Sequence, residues 1–422
     1  MARDLSVVVF GATGITGRLV AAHLAERAAD GDGFDWAVAG RDPEKVRRVL
    51  GELDVTAPEV IAADVADPAS LGAMASRAKV VLNMVGPYVL HGEPVIEACI
   101  AGGAHYMDLT GEIPFVRTMI ERHGERAESA GVKVVNTAGF EAMPPDLLVL
   151  LAAETARERW SEELAVADLD ADLPIPGGKI RPADVISGGT LQSLAEILSV
   201  EEAALAGDSA ALILEEEQAQ RVRAASPIAI SPRFNAQGDV VTPMSPSPFI
   251  NPMVIHRTAA IVAAEEDRVF NPFRYREGVV LPGGTATLPL RYLAGAAMGG
   301  AQAALRGLHR ARPAVRRQAA SLFRKGLPSG GFGPTGERME DWSWRMAVNA
   351  RTVGGHHVRT DLEGEGQPGY LATGKMLGEA GLLLSEEGAT PERTGFLTPA
   401  AALGTGELDR FRHAGVRIQV SS

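Results

Sequence analysis

Residues 7–24 read VVVFGATGITGRLVAAHL. Three β-branched residues lead into Gly11, after which Gly14 and Gly17 follow at three-residue spacing. An apolar helical pattern then runs through Leu19, Val20, His23 and Leu24. This predicts strand, tight turn, helix. Gly11 permits the turn, Gly14 lets backbone approach a pyrophosphate with no Cβ in the way, and Gly17 lets the helix pack closely on the strand. The free N–H groups of the first helical turn then face the anion. Gly11, Ala12, Thr13, Gly14, Ile15, Thr16 and Gly17 are therefore expected to cradle a dinucleotide, with Thr13, Ile15 and Thr16 beside its phosphates.

The next apolar run, Trp36–Gly40, ends in Arg41-Asp42. A cofactor carrying only a ribose 2′-hydroxyl usually meets an acid at this strand end. Here a guanidinium comes first, which suits a 2′-phosphate, and Arg18 lies near enough in sequence to assist. The expected cofactor is NADPH, with Asp42 keeping NAD as the alternative. Asp64, after the third strand, is expected at the adenine.

The 422-residue chain exceeds a usual single domain, so two domains are the starting expectation. Its 46% hydrophobic and 22% charged residues exclude a disordered chain. A net charge of −12 argues against general nucleic-acid binding. The single cysteine, Cys99, allows no internal disulfide and fits a reducing cytoplasm. Its apolar helical setting reads as packing rather than nucleophilic chemistry. Val7 begins a strand too close to Met1 for a signal peptide, and no run has the length of an uninterrupted membrane span. Cytoplasmic location is the expectation, with peripheral membrane association as an addition.

Strand and helix patterns alternate through the first third of the chain: Val60–Ala63, a helix from Pro68, Val80–Met84, a helix through Ile96, His105–Asp108, a helix near Val116–Ala130, and Val132–Asn136. Six strands joined by helices predict an α/β fold with a doubly wound parallel sheet, and right-handed crossovers give the order 3-2-1-4-5-6. After a helix at Pro145–Trp160 the rhythm changes. Leu164–Leu173 alternates as a strand, Thr190–Ala206 reads as a helix, and a Pro- and Ser-rich passage from Ala225 to Pro252 reads as turns or loop. Trp342–Val353 and His356–Glu365 predict a hairpin across Gly354-Gly355. Tyr370–Leu384 and Pro399–Ala414 read as helices, and Val416–Val420 as a strand. The expected division is a Rossmann domain over 1–140, an α+β substrate and dimer domain over 141–367, and C-terminal helices over 368–422.

The segments GATGITGR, VLNMVGPYVLHGEPVIEAC, GGAHYMDLTGE, NTAGFEAMPPDL, PFINPMVIHRTAAI, and PGYLATGKMLGEAGLLL followed by FLTPAAALG occur in this order from the first strand to the last helices. Together they resemble the saccharopine-dehydrogenase-like oxidoreductases, in particular the branch of trans-acting enoyl reductases. The resemblance implies a nicotinamide-binding Rossmann domain, an α+β domain over the cofactor and C-terminal helices returning to the first domain. It also implies reduction of a carbon–carbon double bond on a polyketide or fatty-acyl intermediate carried by another protein. The family commonly has an aspartate and a serine where this chain has Glu141 and Ala142, and an acid where Phe332 precedes Gly333-Pro334. These departures bear on the substrate rather than the fold.

In a doubly wound sheet the nicotinamide half reaches past the strand that follows the switch point. That places Asn83, Met84, Val85, Gly86, Pro87 and Tyr88 near the reactive ring, with Asn83, Val85, Gly86 and Pro87 as cofactor contacts. The Tyr88 hydroxyl either donates the proton that enoyl reduction requires or packs against the cofactor. His91 is a second donor candidate, or a solvent-facing residue at a helix start. Tyr106, Asp108 and Glu112 follow the next strand, where Glu112 reads either as a substrate-facing carboxylate or as the cap of the helix near Pro114. Asp146 reads as a first-turn acid of the helix opened by Pro144-Pro145, after Glu141. Ser187–Thr190 precedes a helix and offers either anion-binding amides or a cap. His356-His357 point to opposite faces of a strand, so no metal site is expected.

Between Glu277 and Glu337 no acidic residue occurs, while Arg291, Arg306, Arg310, Arg312, Arg316, Arg317, Arg324 and Lys325 all lie there. The apolar run Leu288–Leu305 precedes most of them. Region 285–325 reads as a surface for anionic membrane or an acidic carrier protein, or as buried helices with a solvated basic face. Three functions remain open from sequence: an NADPH-dependent reductase of an unsaturated acyl or lipid-like intermediate, a saccharopine-dehydrogenase-like C–N oxidoreductase, and a non-catalytic NADP-binding protein on membrane or lipid. The C–N reading needs a basic pocket for amino-acid carboxylates.

Overall fold

The computed structural model describes residues 3–31, 33–178, 188–326 and 339–421. Its first sheet is built from β1 (Leu5–Phe10), β2 (Trp36–Gly40), β3 (Val60–Ala62), β4 (Ala78–Asn83), β5 (His105–Asp108), β6 (Lys133–Val135) and a late strand, β13 (Gly395–Leu397). The order is β13-β6-β5-β4-β1-β2-β3, and every pairing is parallel. The predicted order 3-2-1-4-5-6 is present, with an unpredicted seventh strand beside β6. Gly395-Phe396-Leu397 is too short to show a period of its own, so only its tertiary pairing makes it a strand.

Strand alternation sorts the central residues between two helical layers. Val7 and Val9 pack toward α1 (Ile15–Ala29) and α2 (Pro43–Gly51), whereas Val8 and Phe10 pack toward α3 (Pro68–Arg77), α4 (Tyr88–Gly102) and α5 (Ile113–Ser129). All four residues are buried, so both faces of the sheet are covered, as parallel sheets require.

The second sheet is mixed. It joins β7 (Leu164–Asp172), β8 (Arg233–Phe234), β9 (Val240–Thr242), β10 (Arg274–Val280), β11 (Ser343–Thr352), β12 (His357–Glu365) and β14 (Val416–Ser421) in the order β14-β12-β11-β7-β10-β9-β8. β7 and β10 run parallel, and the other pairings are antiparallel. The predicted hairpin is β11–β12. The Pro- and Ser-rich passage holds more order than expected, because β8 and β9 flank an Asn235–Gly238 turn at the sheet edge.

Helix α6 (Met143–Trp160) packs on β11 and β12, and its apolar residues belong to a core continuous with the α1 and α2 face of the first sheet. Helix α7 (Gly188–Ser199) ends earlier than expected, with a 3-10 stretch at Glu201–Gly207. Helices α8 (Glu216–Ala225), α9 (Asn251–Glu265), α10 (Leu288–His309) and α11 (Pro313–Gly326) follow in the middle of the chain.

The C-terminal segment returns to the first sheet as predicted and also does more. Helix α12 (Thr373–Ser385) lies along α1 and β4, with every residue but Lys375 buried. A Cβ on Gly374 would come within 2.8 Å of Leu19, so glycine is what lets the two helices touch there. Glu379 accepts from His23 and Arg27 at 2.7 Å each, locking this contact with a buried ionic cluster. The expected helix at Pro399–Ala414 is divided into α13 (Pro399–Leu403) and a 3-10 stretch at Leu408–Ala414, interrupted at Gly404 with φ +68°.

Candidate active site

The glycine turn has the geometry its sequence predicts. Gly11 has φ +93°, and a Cβ there would lie 2.8 Å from Val85. A Cβ on Gly17 would meet the Gly11 carbonyl oxygen, so a side chain at Gly17 would push helix and turn apart, and one at Gly11 would push the turn from the β4 exit. Gly14 is the N-cap of α1 and supplies no side-chain bond to the first-turn amides. Those donors are therefore available to an anion at the strand ends, and the residues fit a dinucleotide pyrophosphate.

At the end of β2, the Asp42 carboxylate accepts from the Lys45 amide at 3.0 Å and so caps α2. Arg41 beside it is exposed. An acid held in a cap and an exposed guanidinium favour a 2′-phosphate over a bare ribose hydroxyl. Asp64 lies just past β3 with its carboxylate turned to the Ala66 amide at 2.9 Å.

The β4 exit is internally braced. Asn83 is fully buried; its Oδ1 accepts from the Val85 amide at 3.0 Å, and its Nδ2 donates to the Tyr106 hydroxyl at 3.1 Å. The Tyr88 hydroxyl donates to the Asn83 carbonyl at 3.1 Å, and burial raises its pKa well above the usual phenol value. Gly86, the most open residue of this turn, and Val85 are left to line the crevice, with Pro87 buried behind them. His91 is half-buried in the first turn of α4.

Two carboxylates organise the neighbouring loops. Asp108 accepts from Tyr106 and Asn136 at 2.8 Å each and from the amides of Thr110 and Thr137 at 3.0 and 3.2 Å. It is wholly buried, and burial, opposed by these bonds, lifts its pKa to about 6. Glu112 does not use its side chain to cap α5, which it precedes. Instead it reaches the amides of Tyr88 and Val89 at 3.0 and 2.7 Å and accepts from Ser193 at 2.7 Å, thereby capping α4. Asp146 likewise caps a distant helix: it accepts from the Ala400 amide of α13 at 2.8 Å and from Thr258, and burial pushes its pKa up to about 7.

The loop that leaves β6 opens onto a cavity of about 60 Å³ against β7, β10 and β11 of the second sheet. Phe140, Leu169, Met244, Val279 and Met346 supply apolar walls, and Glu141, Ser247, Asn251 and Glu277 are the polar groups that can hydrogen-bond a ligand. No arginine or lysine lines it among the described residues. Ile250, next to Asn251, packs against Gly111 after β5, so this cavity sits over the carboxyl-end loops of the first sheet. That is where ligands of doubly wound folds bind. Sequence reasoning missed Glu277 because β10 was not recognised; the signal was an acid two residues from Tyr275, on the same face of a strand. Ser187 and Phe332–Pro334 lie outside the described residues.

The basic segment is not a uniformly solvated face. Arg291 is buried and holds the Gly283 and Leu281 carbonyls and Asp239. Arg316 is buried against the carbonyls of Val200 and Glu201, Arg310 binds the Gly207 carbonyl, and Arg324 pairs with Glu196. Arg312 and Arg317 stay exposed. Helix α10 buries Arg291, Gly295, Gly299, Gln302 and His309 and presents Leu290, Tyr292 and Leu293 outward; α11 exposes Val315, Leu322 and Phe323. No helix among the described residues is long and apolar enough to cross a membrane, and no metal-binding cluster occurs among them.

A parallel sheet with a glycine turn opening its first helix, and an exposed arginine after β2, define a Rossmann-type dinucleotide-binding protein. Residues 7–135 match the saccharopine dehydrogenase NADP binding domain. A Mycobacterium tuberculosis protein provisionally named a trans-acting enoyl reductase is 32% identical over 99% of this chain and 98% of its own length. A trans-acting enoyl reductase of Mycobacterium ulcerans is 30% identical over 99% and 98%. Saccharopine dehydrogenase (L-Glu forming) from Saccharomyces cerevisiae shares the fold, with TM-score 0.50 and 14% identity over 99% of both chains. The chain belongs to the saccharopine-dehydrogenase-like oxidoreductases, in the trans-acting enoyl reductase branch. It is an NAD(P)-dependent oxidoreductase with an NADP-binding domain.

Proposed function

We propose that the protein reduces the carbon–carbon double bond of an α,β-unsaturated acyl thioester, of polyketide, fatty-acyl or related lipid-like origin and delivered on a carrier. The observation that carries this reading is the apolar cavity over the β5 and β6 exits, which has carboxyl and amide groups but no cationic side chain among the described residues. A C–N oxidoreductase acting on amino acids would need a cation for each substrate carboxylate. NADPH, when bound, supplies a hydride to the carbon β to the thioester carbonyl. The glycine turn and α1 would hold its pyrophosphate, Arg41 its 2′-phosphate, and Val85 and Gly86 would lie beside its ring, with Pro87 behind them. The braced β4 exit keeps that backbone in one geometry, which a reacting centre needs to within fractions of an ångström.

The outward apolar residues of α10 and α11, with Arg312 and Arg317 nearby, support contact with an anionic lipid surface from which a poorly soluble acyl chain is drawn. With domain boundaries at 140 and 367, as the sequence suggests, the cavity is lined by the middle region, with Phe140 at its border with the cofactor-binding region.

NADPH oxidation with a panel of enoyl-pantetheine thioesters, set against 2-oxoacid plus amino-acid pairs, tests this function. Turnover of thioesters alone is expected; turnover of the amino-acid pairs alone would replace it with C–N chemistry.

A further inference from the structure

Glu277 is 6% exposed and sits on β10 facing the cavity. Its Oε2 accepts two hydrogen bonds, from Asn251 Nδ2 at 2.7 Å and from the Tyr275 hydroxyl at 3.0 Å. Its Oε1 is buried and has no partner among the described residues. Asn251, 1% exposed, is in the same condition: its Nδ2 is used and its Oδ1 has no partner among them. Buried polar atoms left unpaired cost free energy, and two of them on residues that line one cavity are where a ligand or water completes the bonding. Here both lie on residues that line one cavity, beside Glu141, which itself accepts from Ser247.

The hydrogen-bond pattern also identifies the state of the carboxyl. Two donors converge on Oε2, which makes it the carbonyl-like oxygen, and a proton then belongs on Oε1, the oxygen with no partner among the described residues. Burial, reinforced by Glu141 and opposed by the bonds from Asn251 and Tyr275, lifts the pKa to about 8. A neutral acid at pH 7 is what a proton donor requires. The cavity has room for the tip of a ligand: at about 30 Å³ per water-sized group, 60 Å³ takes about two such groups.

We propose that Glu277 is the proton donor of this site, its Oε1 turned to the α-carbon of an enoyl thioester whose reactive end fills the cavity. The proposal rests on the enoyl-reductase reading above. As the β-carbon gains its hydrogen, the π pair of the double bond shifts onto the α-carbon and thioester oxygen. The Oε1–H bond then breaks and a C–H bond forms at the α-carbon. Glu277 is left as a carboxylate, steadied by Tyr275 and Asn251, and regains its proton from solvent. The double bond is reduced and NADPH oxidised, one proton being consumed. Glu277 acts within a set of groups: Glu141 lines the same cavity and raises its pKa, Tyr275 shares its strand, and Asp146 and Arg233 bear on Tyr275.

The test uses the full chain, crotonyl-pantetheine as probe, and the Glu277→Gln and Tyr88→Phe variants. Gln keeps an acceptor for Asn251 and Tyr275 but has no acidic proton. Three readouts are taken: calorimetric binding of the probe to the NADP⁺ complex, turnover, and the infrared carbonyl band of a protonated carboxyl between pH 6 and 9. The expected result is a band component in the unmodified protein that persists above the titration of Asp146, fades above pH 8 and is lost in the difference spectrum against Glu277→Gln, probe affinity within tenfold, and turnover lower by about 10²–10⁴-fold. Reduction by Glu277→Gln at the unmodified rate, with Tyr88→Phe impaired, overturns the Glu277 assignment and leaves the enoyl-reductase reading standing. An unmodified protein that neither binds nor reduces the probe overturns both.

Discussion

The Glu112 carboxylate and the Tyr88 amide, 24 positions apart in sequence, meet at 3.0 Å. Glu112 thus ties the loop after β5 to the first turn of α4, the helix that begins where the nicotinamide half of the cofactor is expected. A cap and a catalytic acid respond differently to substitution. Glu112→Gln should cost about 1–2 kcal/mol of stability, read as a lower denaturant midpoint, while turnover falls by less than tenfold. A large loss of turnover at unchanged stability would return Glu112 to the chemistry.

Arg41 should set the cofactor preference, because Asp42 is already engaged by the Lys45 amide. A charged hydrogen bond to the 2′-phosphate contributes about 1.5–3 kcal/mol, so Arg41→Ala should weaken NADPH roughly ten- to a hundredfold. NADH affinity should not change. Titration calorimetry with both cofactors checks this.

Stability should decline as pH rises. Asp146 at about 7 and Glu277 at about 8 both hold their protons more tightly when folded than when unfolded. A carboxyl with a raised folded pKa contributes stability that is complete below its unfolded value, near pH 4, and is lost as pH climbs through the folded value. This contribution to melting temperature should therefore fall between about pH 4 and 8 and level off above, and Glu277→Gln should flatten that slope. An identical slope in the variant would contradict the sign.

His256 carries an avoidable cost. It is fully buried between Phe270 and Phe273, neither ring nitrogen has a partner among the described residues, and burial lowers its pKa to about 4. His256→Leu keeps most of the volume and removes the unmet donor, so a gain of about 1–2 kcal/mol in chemical denaturation is expected.

Lipid contact through α10 and α11 should depend on Arg312 and Arg317 but not on Arg316. Each exposed cation adds about 1 kcal/mol near an anionic surface and is screened by salt. The Arg312→Gln, Arg317→Gln protein should sediment less with anionic vesicles at low salt, and Leu290→Ser, Leu293→Ser should release it at any salt. Retention of both variants in a dimer on a sizing column, without vesicle binding, would assign the face to a second copy instead. Arg316→Gln should destabilise the protein by freeing the Val200 and Glu201 carbonyls.

The first sheet was legible because its signals are local. The glycine spacing, the strand at Trp36–Gly40 and the strand–helix rhythm all announce themselves within a short stretch of chain. What stayed hidden depends on partners far along the sequence. β13 is three residues long and becomes a strand only beside β6. Glu112 and Asp146 look like first-turn acids, yet each serves a helix other than its own. Arg316 reads like Arg317 in sequence, and only tertiary packing separates the buried residue from the exposed one. α10 shows how pattern misleads: its apolar residues outnumber its polar ones, but the inward face is filled by glycines and Arg291 because Ile230 and Pro232 approach too closely for larger side chains.

Two late strands complete the edges of both sheets, β13 beside β6 and β14 beside β12. During synthesis each emerges from the ribosome after every other strand of its sheet, so two unsatisfied edges persist until they arrive. A message cut short before Gly395 yields a product with two sticky margins. Cutting it before Thr373 also leaves the α1 surface uncovered. Both sheets thus present open edges to other chains until the last part of the sequence has been made.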